Sequence, residues 1–358
     1  IKKMFNVIRK NDQLLWQILA MLLYNVGSGI LVALGYNFLY LELGYNGTLA
    51  MIFVATFGVS NIGVQAFYSK LANRFGRKKL LFYSLIAIAF GYLLLLLVGF
   101  VPFMPVNIFT VCLFGVFVFG GQAIFYMILT VNIANTVEYN EYKTNERNEA
   151  VIFSLRPFMA KMASALQQGL MTLVLTTSGI YLLSQNVTFL ENQKSIFEDY
   201  AFDQQVEYLK NAEDRVVILD TDEYKNLTDE EKTEYYNMLN EVTYQGERKM
   251  VINTTGLNAT KKTFLEAQKA AYDQMTDLQK IQYEQSVKDR SLDLNEYGLS
   301  ASEKAEYYDL LQGVVFQGKY EMNIIASADV HFKDKADNFM RYYLRISITV
   351  IPTILIYA

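Results

Sequence analysis

Leu80–Val101 reads LLFYSLIAIAFGYLLLLLVGFV and contains no charged residue. A helix rising about 1.5 Å per residue needs roughly 20 apolar residues to cross a hydrocarbon core about 30 Å thick, and this run meets that length. One such run also fits a buried helix of a soluble protein. Residues 14–41, 48–69, 106–134 and 151–184 meet the same length, and 339–358 just meets it. Five such runs before residue 185 argue for membrane helices.

Composition agrees and removes other classes. The 358 residues are 52% hydrophobic and 19% charged, with a mean hydropathy of +0.14, which excludes a disordered chain or a collagen. Cys112 is the single cysteine and His331 the single histidine, so neither an intrachain disulfide nor a zinc cluster can form. Charge is unevenly spread. Residues 186–338 hold 30 acidic and 17 basic side chains, whereas the remainder holds 6 acidic and 15 basic. An acidic soluble segment is thus set into a basic apolar body.

Basic residues in the short connections orient that body. Lys2, Lys3, Arg9 and Lys10 precede the first run; Lys70, Arg74, Arg77, Lys78 and Lys79 lie between the second and third. Lys143 and Arg147 lie in 135–150, while the alternate connections near 42–47 and 102–107 carry no basic residue. The first three groups are expected in the cytoplasm, which puts the 186–338 segment outside. The opening is not a signal peptide, because the apolar stretch after it is too long and no small-residue cleavage site follows. The chain begins at Ile1 and stops within its last apolar run, so a piece of a longer protein is expected.

Residues 186–338 contain no membrane-length run but do contain a repeat. Glu231-Lys232-Thr233-Glu234-Tyr235-Tyr236, then Gln245-Gly246 and Met250, recurs 72 positions later as Glu303-Lys304-Ala305-Glu306-Tyr307-Tyr308, Gln317-Gly318 and Met322. A fainter echo starts at Thr276. Thr228, Thr276 and Ser300 sit where an N-cap would satisfy free backbone amides ahead of short helices. Strand-like runs follow at 249–252 and 320–325. Three readings stand: a folded α+β insertion with tyrosines in its core, a binding module whose exposed tyrosines stack on sugar rings, and a flexible acidic loop. His331 reads as a surface residue.

Ionisable groups at membrane depth are expensive and point to function. Run 151–184 has Arg156 and Lys161. Arg156 lies close enough to the cytoplasmic edge to snorkel. Lys161, about 16 Å in, does not. Ser154, Lys161, Ser164 and Gln168 share a face, continued by Thr172. Gln122, Tyr126 and Thr130 are spaced four apart on 106–134, and Asn25, Ser28 and Tyr36 line one face of 14–41, where Gly27, Gly29 and Gly35 allow close approach. Each stripe alone serves as helix–helix glue. Together, amides, hydroxyls and aromatic rings suit a cavity for a polyhydroxylated solute.

Two motifs carry a family resemblance. Leu71-Ala72-Asn73-Arg74-Phe75-Gly76-Arg77-Lys78-Lys79 resembles the major-facilitator loop motif, with Asn73 where that motif usually has Asp. Residues 134–143, then Arg147-Asn148-Glu149 and the run Phe153 to Lys161, resemble the tenth loop and eleventh helix of glycoside–pentoside–hexuronide:cation symporters, the melibiose-permease-like branch. The resemblance covers about 1–185 and 339–358 and leaves out the insertion. It implies an all-α membrane fold, with helices seven to eleven in 1–185 and the last helix in 339–358; the 186–338 insertion between them is expected, from its own residues and the Lys/Arg asymmetry, to be α+β and extracytoplasmic. The partner would be an amino-terminal six-helix half holding most of the carboxylates for a coupling sodium ion or proton; no Asp or Glu falls in the six apolar runs here.

By the same resemblance the family's helix-eleven lysine falls on Lys161 and its sugar-side aromatic on Tyr126, while its Gln-Thr pair is Arg156-Pro157. Expected sugar-binding residues are therefore Lys161, Tyr126, Gln122, Thr130, Arg156, Asn25 and Gln168. A cytoplasmic gate is expected from Glu138, Glu141, Lys143, Arg147, Glu149, Arg74 and Arg77. The implied activity is cation-coupled sugar transport across the cytoplasmic membrane by alternating access, without enzyme chemistry, resident cofactor or nucleic acid. The rival is a membrane sensor with a transporter-like body and a binding insertion.

Overall fold

The computed structural model describes residues 2–101, 103–222 and 224–358, with side chains from residue 6 onward. In chain order the helices are α1 (Lys2–Lys10), α2 (Asp12–Leu43), α3 (Gly47–Phe75), α4 (Arg77–Leu97), α5 (Ile108–Thr144), α6 (Glu149–Ser178), α7 (Ile180–Asp199), α8 (Phe202–Asp214) and α9 (Asp229–Asn240). Strands β1 (Thr243–Gly246) and β2 (Lys249–Val251) follow, then α10 (Ala259–Asp273), α11 (Asp277–Lys288) and α12 (Ala301–Gln312). Strands β3 (Val315–Gln317) and β4 (Tyr320–Asn323), α13 (Ile325–Asp329) and α14 (Asn338–Tyr357) complete the order. Packing divides them into two compact units, Ile1–Gln185 with Asp329–Ala358, and Asn186–Ala328. The boundary lies ten residues before the expected 338, because 329–337 pack with the apolar body.

In the first unit α2, α3, α4, α5 and α14 are each long and apolar enough to cross a membrane. α6 has 30 residues, about 45 Å of helix, but Arg156, Lys161, Gln167 and Gln168 dilute it, and it passes as a span only when taken with α7. The expected run 151–184 is thus interrupted. Gly179 takes the left-handed conformation at φ +77°, and its N–H bonds to the carbonyl of Thr176, which closes α6.

Two other runs have corrected ends. Run 80–101 stops being helical at Leu97, where turns through Gly99 and Met104 begin. The 135–150 connection is mostly helix, since α5 continues to Thr144 before Asn145 caps it in the left-handed region. Residues 2–10 form a helix of their own rather than a loose basic tail. Its Val7 joins a core with Leu14, Ile18, Met21, Ile133, Val137, Ile152, Leu155 and Met159. Asn11 is fully buried beside that core: its side chain caps the N–H of Leu14 at 3.0 Å and donates to the carbonyl of Thr136 at 3.1 Å.

The second unit is a folded α+β body, as the first of the three sequence readings has it. Thr228, Thr276 and Ser300 each accept from the backbone three residues on, and Glu231, Gln279 and Glu303 return the bond. These bonds hold the Glu231 and Glu303 carboxyls below their ordinary range. Tyr272, Tyr283 and Tyr307 are buried with Phe264, Leu265, Met250 and Leu311.

β1 pairs antiparallel with β4 and β2 with β3. Gly246 faces Tyr320 and Lys249 faces Gln317, so one register runs through both ladders. Glu247 and Lys319, separated by the repeat length, therefore fall opposite each other at its centre, and the duplication forms a ribbon with approximate two-fold symmetry. Gly246 and Gly318 hold positive φ, and an added Cβ would lie 2.3 Å from the Lys319 carbonyl or 2.1 Å from that of Glu247. No side chain fits at either position.

Candidate functional site

The polar stripe of α6 survives folding. Ser154, Lys161, Ser164, Gln168 and Thr172 are all exposed in this chain. Ser154, Ser164 and Thr172 bond back to carbonyls of their own helix at 2.7–3.1 Å, which satisfies hydroxyls where water is scarce. Lys161 has no ion pair or hydrogen bond among the described residues. It stands about 18 Å from the start of the helix, close to its middle.

Arg156 is placed by two contacts with one ring. Its Nη2 donates to the Tyr126 hydroxyl at 2.8 Å, and its guanidinium carbon lies 5.4 Å from that ring's centroid. Tyr126 in turn stacks on Tyr24, with centroids 5.7 Å apart. The ring expected to meet a sugar is therefore engaged with Tyr24 and Arg156, and Tyr126 serves to orient the guanidinium. Thr130 spends its hydroxyl on the Tyr126 carbonyl at 2.9 Å.

Gln122 requires a correction. It was expected to share the open face with Tyr126, yet it is 2% exposed and its amide donates to the Tyr92 hydroxyl at 2.8 Å. Tyr24 donates to its backbone carbonyl at 2.8 Å. Spacing by four leaves a 40° drift per step, and here that drift turns Gln122 between α2 and α4. It is packing glue. Asn25 is half-buried; its carbonyl accepts from Gln167 at 2.7 Å, while its own amide nitrogen is buried without a partner. Gln167, passed over in favour of Gln168, crosses to α2 over Gly29, where a Cβ would lie 1.3 Å from its amide nitrogen.

The expected cytoplasmic gate divides. Lys143 pairs with Asp12 at 2.5 Å, and Tyr139 donates to the same carboxylate at 3.1 Å. Arg147 bridges Glu141 at 3.4 Å and Glu149 at 3.2 Å. Glu138 is exposed outside these pairs. Arg74 and Arg77 form no ion pair among the described residues, and Arg74 lies against the Phe75 ring at 5.6 Å. Asp12 was missed. Its signal was available, as the lone acid at the start of an apolar helix.

Also missed is a buried pair at the other end of the body. Arg345 on α14 donates to Glu42 on α2 at 2.7 Å and to the carbonyl of Val98, with Phe100 4.8 Å and Phe38 5.7 Å from its guanidinium carbon. Arg341 beside it donates to the carbonyls of Leu41 and Lys333. Nearby His331 is 5% exposed, against the surface position expected for it. Among the described residues no three His, Cys, Asp or Glu side chains group to hold a metal.

A family model described as MFS/sugar transport protein matches residues 1–196. The lactose permease of Lactobacillus delbrueckii subsp. bulgaricus is 32% identical over 191 residues, 50% of this chain and 28% of that protein. The raffinose carrier protein of Pediococcus pentosaceus is 30% identical over 182 residues, 50% of this chain and 27% of its own length. The lactose permease of Leuconostoc lactis is 29% identical over 203 residues, 56% and 30% of the two lengths. The matched stretch thus covers less than a third of each relative. The family match takes in more than half of this chain, including the α5 and α6 motifs and Lys161, and the helices around them are of membrane length. The chain is an integral membrane protein that belongs to the MFS/sugar transport protein family, a family of transporters rather than enzymes.

Proposed function

We propose that this chain forms one wall of a cation-coupled sugar transporter that works by alternating access, in partnership with a second six-helix bundle. The observation that carries the reading is the exposed polar face of α6, with an unpartnered ammonium at its middle. Arg156, steered by Tyr126, and Lys161 offer donors to sugar hydroxyls, and Gln168 adds an amide that both donates and accepts. The cavity wall needs few such groups, because a largely apolar surround strengthens each one. Sodium or a proton is the coupling ion, bound mainly by the second bundle. The paired charges around Asp12, Lys143, Glu141 and Arg147 would close the cytoplasmic mouth in one state and part in the other.

Uptake tests the reading. Right-side-out vesicles carrying the complete transporter should accumulate radiolabelled lactose or raffinose when a sodium or proton gradient is imposed, and collapse of the gradient should end it. Specific binding without accumulation under either gradient would favour a sensor instead.

The asymmetry of Lys and Arg supports a cytoplasmic-membrane protein with Asn186–Ala328 outside. A cysteine at exposed Asn253 is expected to react with an impermeant maleimide added to intact cells. Labelling only after lysis would reverse the orientation.

A further inference from the structure

The Asn186–Ala328 unit contains several clefts of small-molecule size, two of them with a strongly polar lining. The larger, about 860 Å³, surrounds Arg248 and Glu284. Those groups satisfy each other: the guanidinium meets the carboxylate through two bonds of 2.9 and 2.8 Å, Tyr272 donates to the same carboxylate at 2.6 Å, and the last Arg248 nitrogen donates to the carbonyl of Gly318 at 3.2 Å. The charged pair at its centre is thus spent on contacts within the protein. It holds the ribbon to α11.

The second cleft, about 560 Å³, lies between α7, α8 and the loop after α8. Its lining differs in kind. Tyr200 and Tyr208 meet edge to face at 6.3 Å, and Gln193 and Asn211 supply amides. Glu207 is an exposed carboxylate on the same lining and Asp222 a second one paired with Lys225 at 2.8 Å, while neither lysine nor arginine is among the described lining residues. Gln193 is 2% exposed and accepts from the Tyr208 hydroxyl at 2.9 Å. With its oxygen engaged, the amide keeps donor capacity. Burial pushes the Tyr208 hydroxyl well above the ordinary tyrosine range, so it remains a neutral donor.

The loop wall is strained. Val217 has φ +68° and lines the cleft with its side chain 58% exposed. A β-branched residue rarely takes this conformation, and such outliers persist only where their surroundings enforce them. Here Leu219, 1% exposed, anchors the loop two residues on, and Tyr224 packs against Phe189 at 5.6 Å. Glycine would relieve the strain at no structural cost. At this strained position the valine side chain lines the cleft.

We infer that the cleft bounded by Gln193, Tyr200, Tyr208, Asn211 and Val217 binds a neutral oligosaccharide, as a second sugar site outside the membrane-spanning body. The half-buried Tyr200 ring covers the apolar face of a pyranose, backed edge to face by the buried Tyr208; amides and the Glu207 carboxylate take up its hydroxyls, and the absence of Lys and Arg from the described lining disfavours an anion. The ligand class follows from this lining and stands even if the body carries another solute.

The test uses the whole chain in detergent with Lys161→Ala as the background, so that the body's own site does not contribute. Radiolabelled raffinose serves as the neutral probe in equilibrium dialysis. Saturable binding is expected, weakened about tenfold or more by Tyr200→Ala and by Asn211→Leu. Val217→Gly should weaken it about threefold or more while leaving the thermal transition unchanged or higher, which separates loss of binding from loss of fold. Glucuronate should compete poorly. The inference is overturned if no saturable binding occurs, if all three variants bind as the background does, or if glucuronate displaces raffinose more effectively than unlabelled raffinose does.

Discussion

Lys161→Ala is expected to abolish gradient-driven sugar uptake while the transporter reaches the membrane in normal amount. An ammonium at mid-membrane is retained only if something compensates it: a carboxylate, backbone carbonyls, water or bound substrate. Among the described residues nothing does. The hydroxyls along the same face are bonded to their own helix, and the nearest cation in sequence on α6, Arg156, is committed to Tyr126. Compensation must then come from the opposite wall or from what passes between the walls.

Removal of the lysine therefore strikes the site, whereas the packed core on the other side of α6 keeps Ile152, Leu155, Met159 and Ala163 buried as before. Uptake should fall by at least about tenfold, a barrier change of roughly 1.4 kcal/mol or more. Lys161→Arg should rescue only part, because a planar fork of donors is larger and less adaptable than a compact ammonium. Met162→Ala, one residue on and also exposed, should have little effect. Near-normal uptake by Lys161→Ala at normal expression would make the lysine structural and move the site toward Arg156.

Much of this fold was legible because a bilayer imposes a length on any helix that crosses it, and apolar runs record that length directly. What hydropathy does not record is where a helix stops. α5 leaves the apolar region near Ala134 but continues as a polar helix to Thr144, stabilised by Asn140 donating to the carbonyl of Glu146 at 2.6 Å and by Asn145 as a left-handed cap. The apolar run ends there; the helix does not. α6 fails in the opposite sense. Its apolar character carries on past a Gly179 that already holds the left-handed conformation.

The geometry of the candidate site was legible to a similar degree. Periodicity put Lys161 and Gln168 on one open face, as α6 presents them. It put Gln122 with Tyr126 as well, but which neighbour covers a face is a property of the bundle and not of the stripe. In the insertion the three N-caps follow from local chemistry alone. The ribbon pairing does not, since strands of three and four residues carry too little pattern; the 72-residue duplication was the clue, and its two copies pair with each other about Glu247 and Lys319.

The largest loss of stability is expected from breaking Arg345 away from Glu42. Glu42 lies one residue beyond the apolar run that ends at Leu41, and Arg345 lies inside the last run, so neither is marked as a partner by sequence. In the fold their side chains are only 11% and 6% exposed. The guanidinium uses Nη2 for Glu42 and Nη1 for the carbonyl of Val98, and aromatic rings of Phe38 and Phe100 shield it. Taking Glu42 away leaves the Arg345 guanidinium as an unpaired charge out of water, which costs about 3–5 kcal/mol, and taking Arg345 away leaves Glu42 with Arg341 alone, at 4.0 Å. That is a large share of the 5–15 kcal/mol that typically separates folded from unfolded protein.

Arg345→Ala and Glu42→Ala should each sharply reduce the folded fraction, measured by size exclusion of the detergent-solubilised protein after heating. Arg345→Lys should not restore it, because a single ammonium cannot reach both the carboxylate and the Val98 carbonyl. The double change Glu42→Gln with Arg345→Met should recover much of the loss, since no buried charge then remains. Recovery would show that the penalty lies in the orphaned charge rather than in the attraction between the two. If either single variant is as heat-resistant as the parent, the orphaned side chain reaches water, and the packing of α2 on α14 near Glu42 is held by Arg341 and the apolar contacts around it.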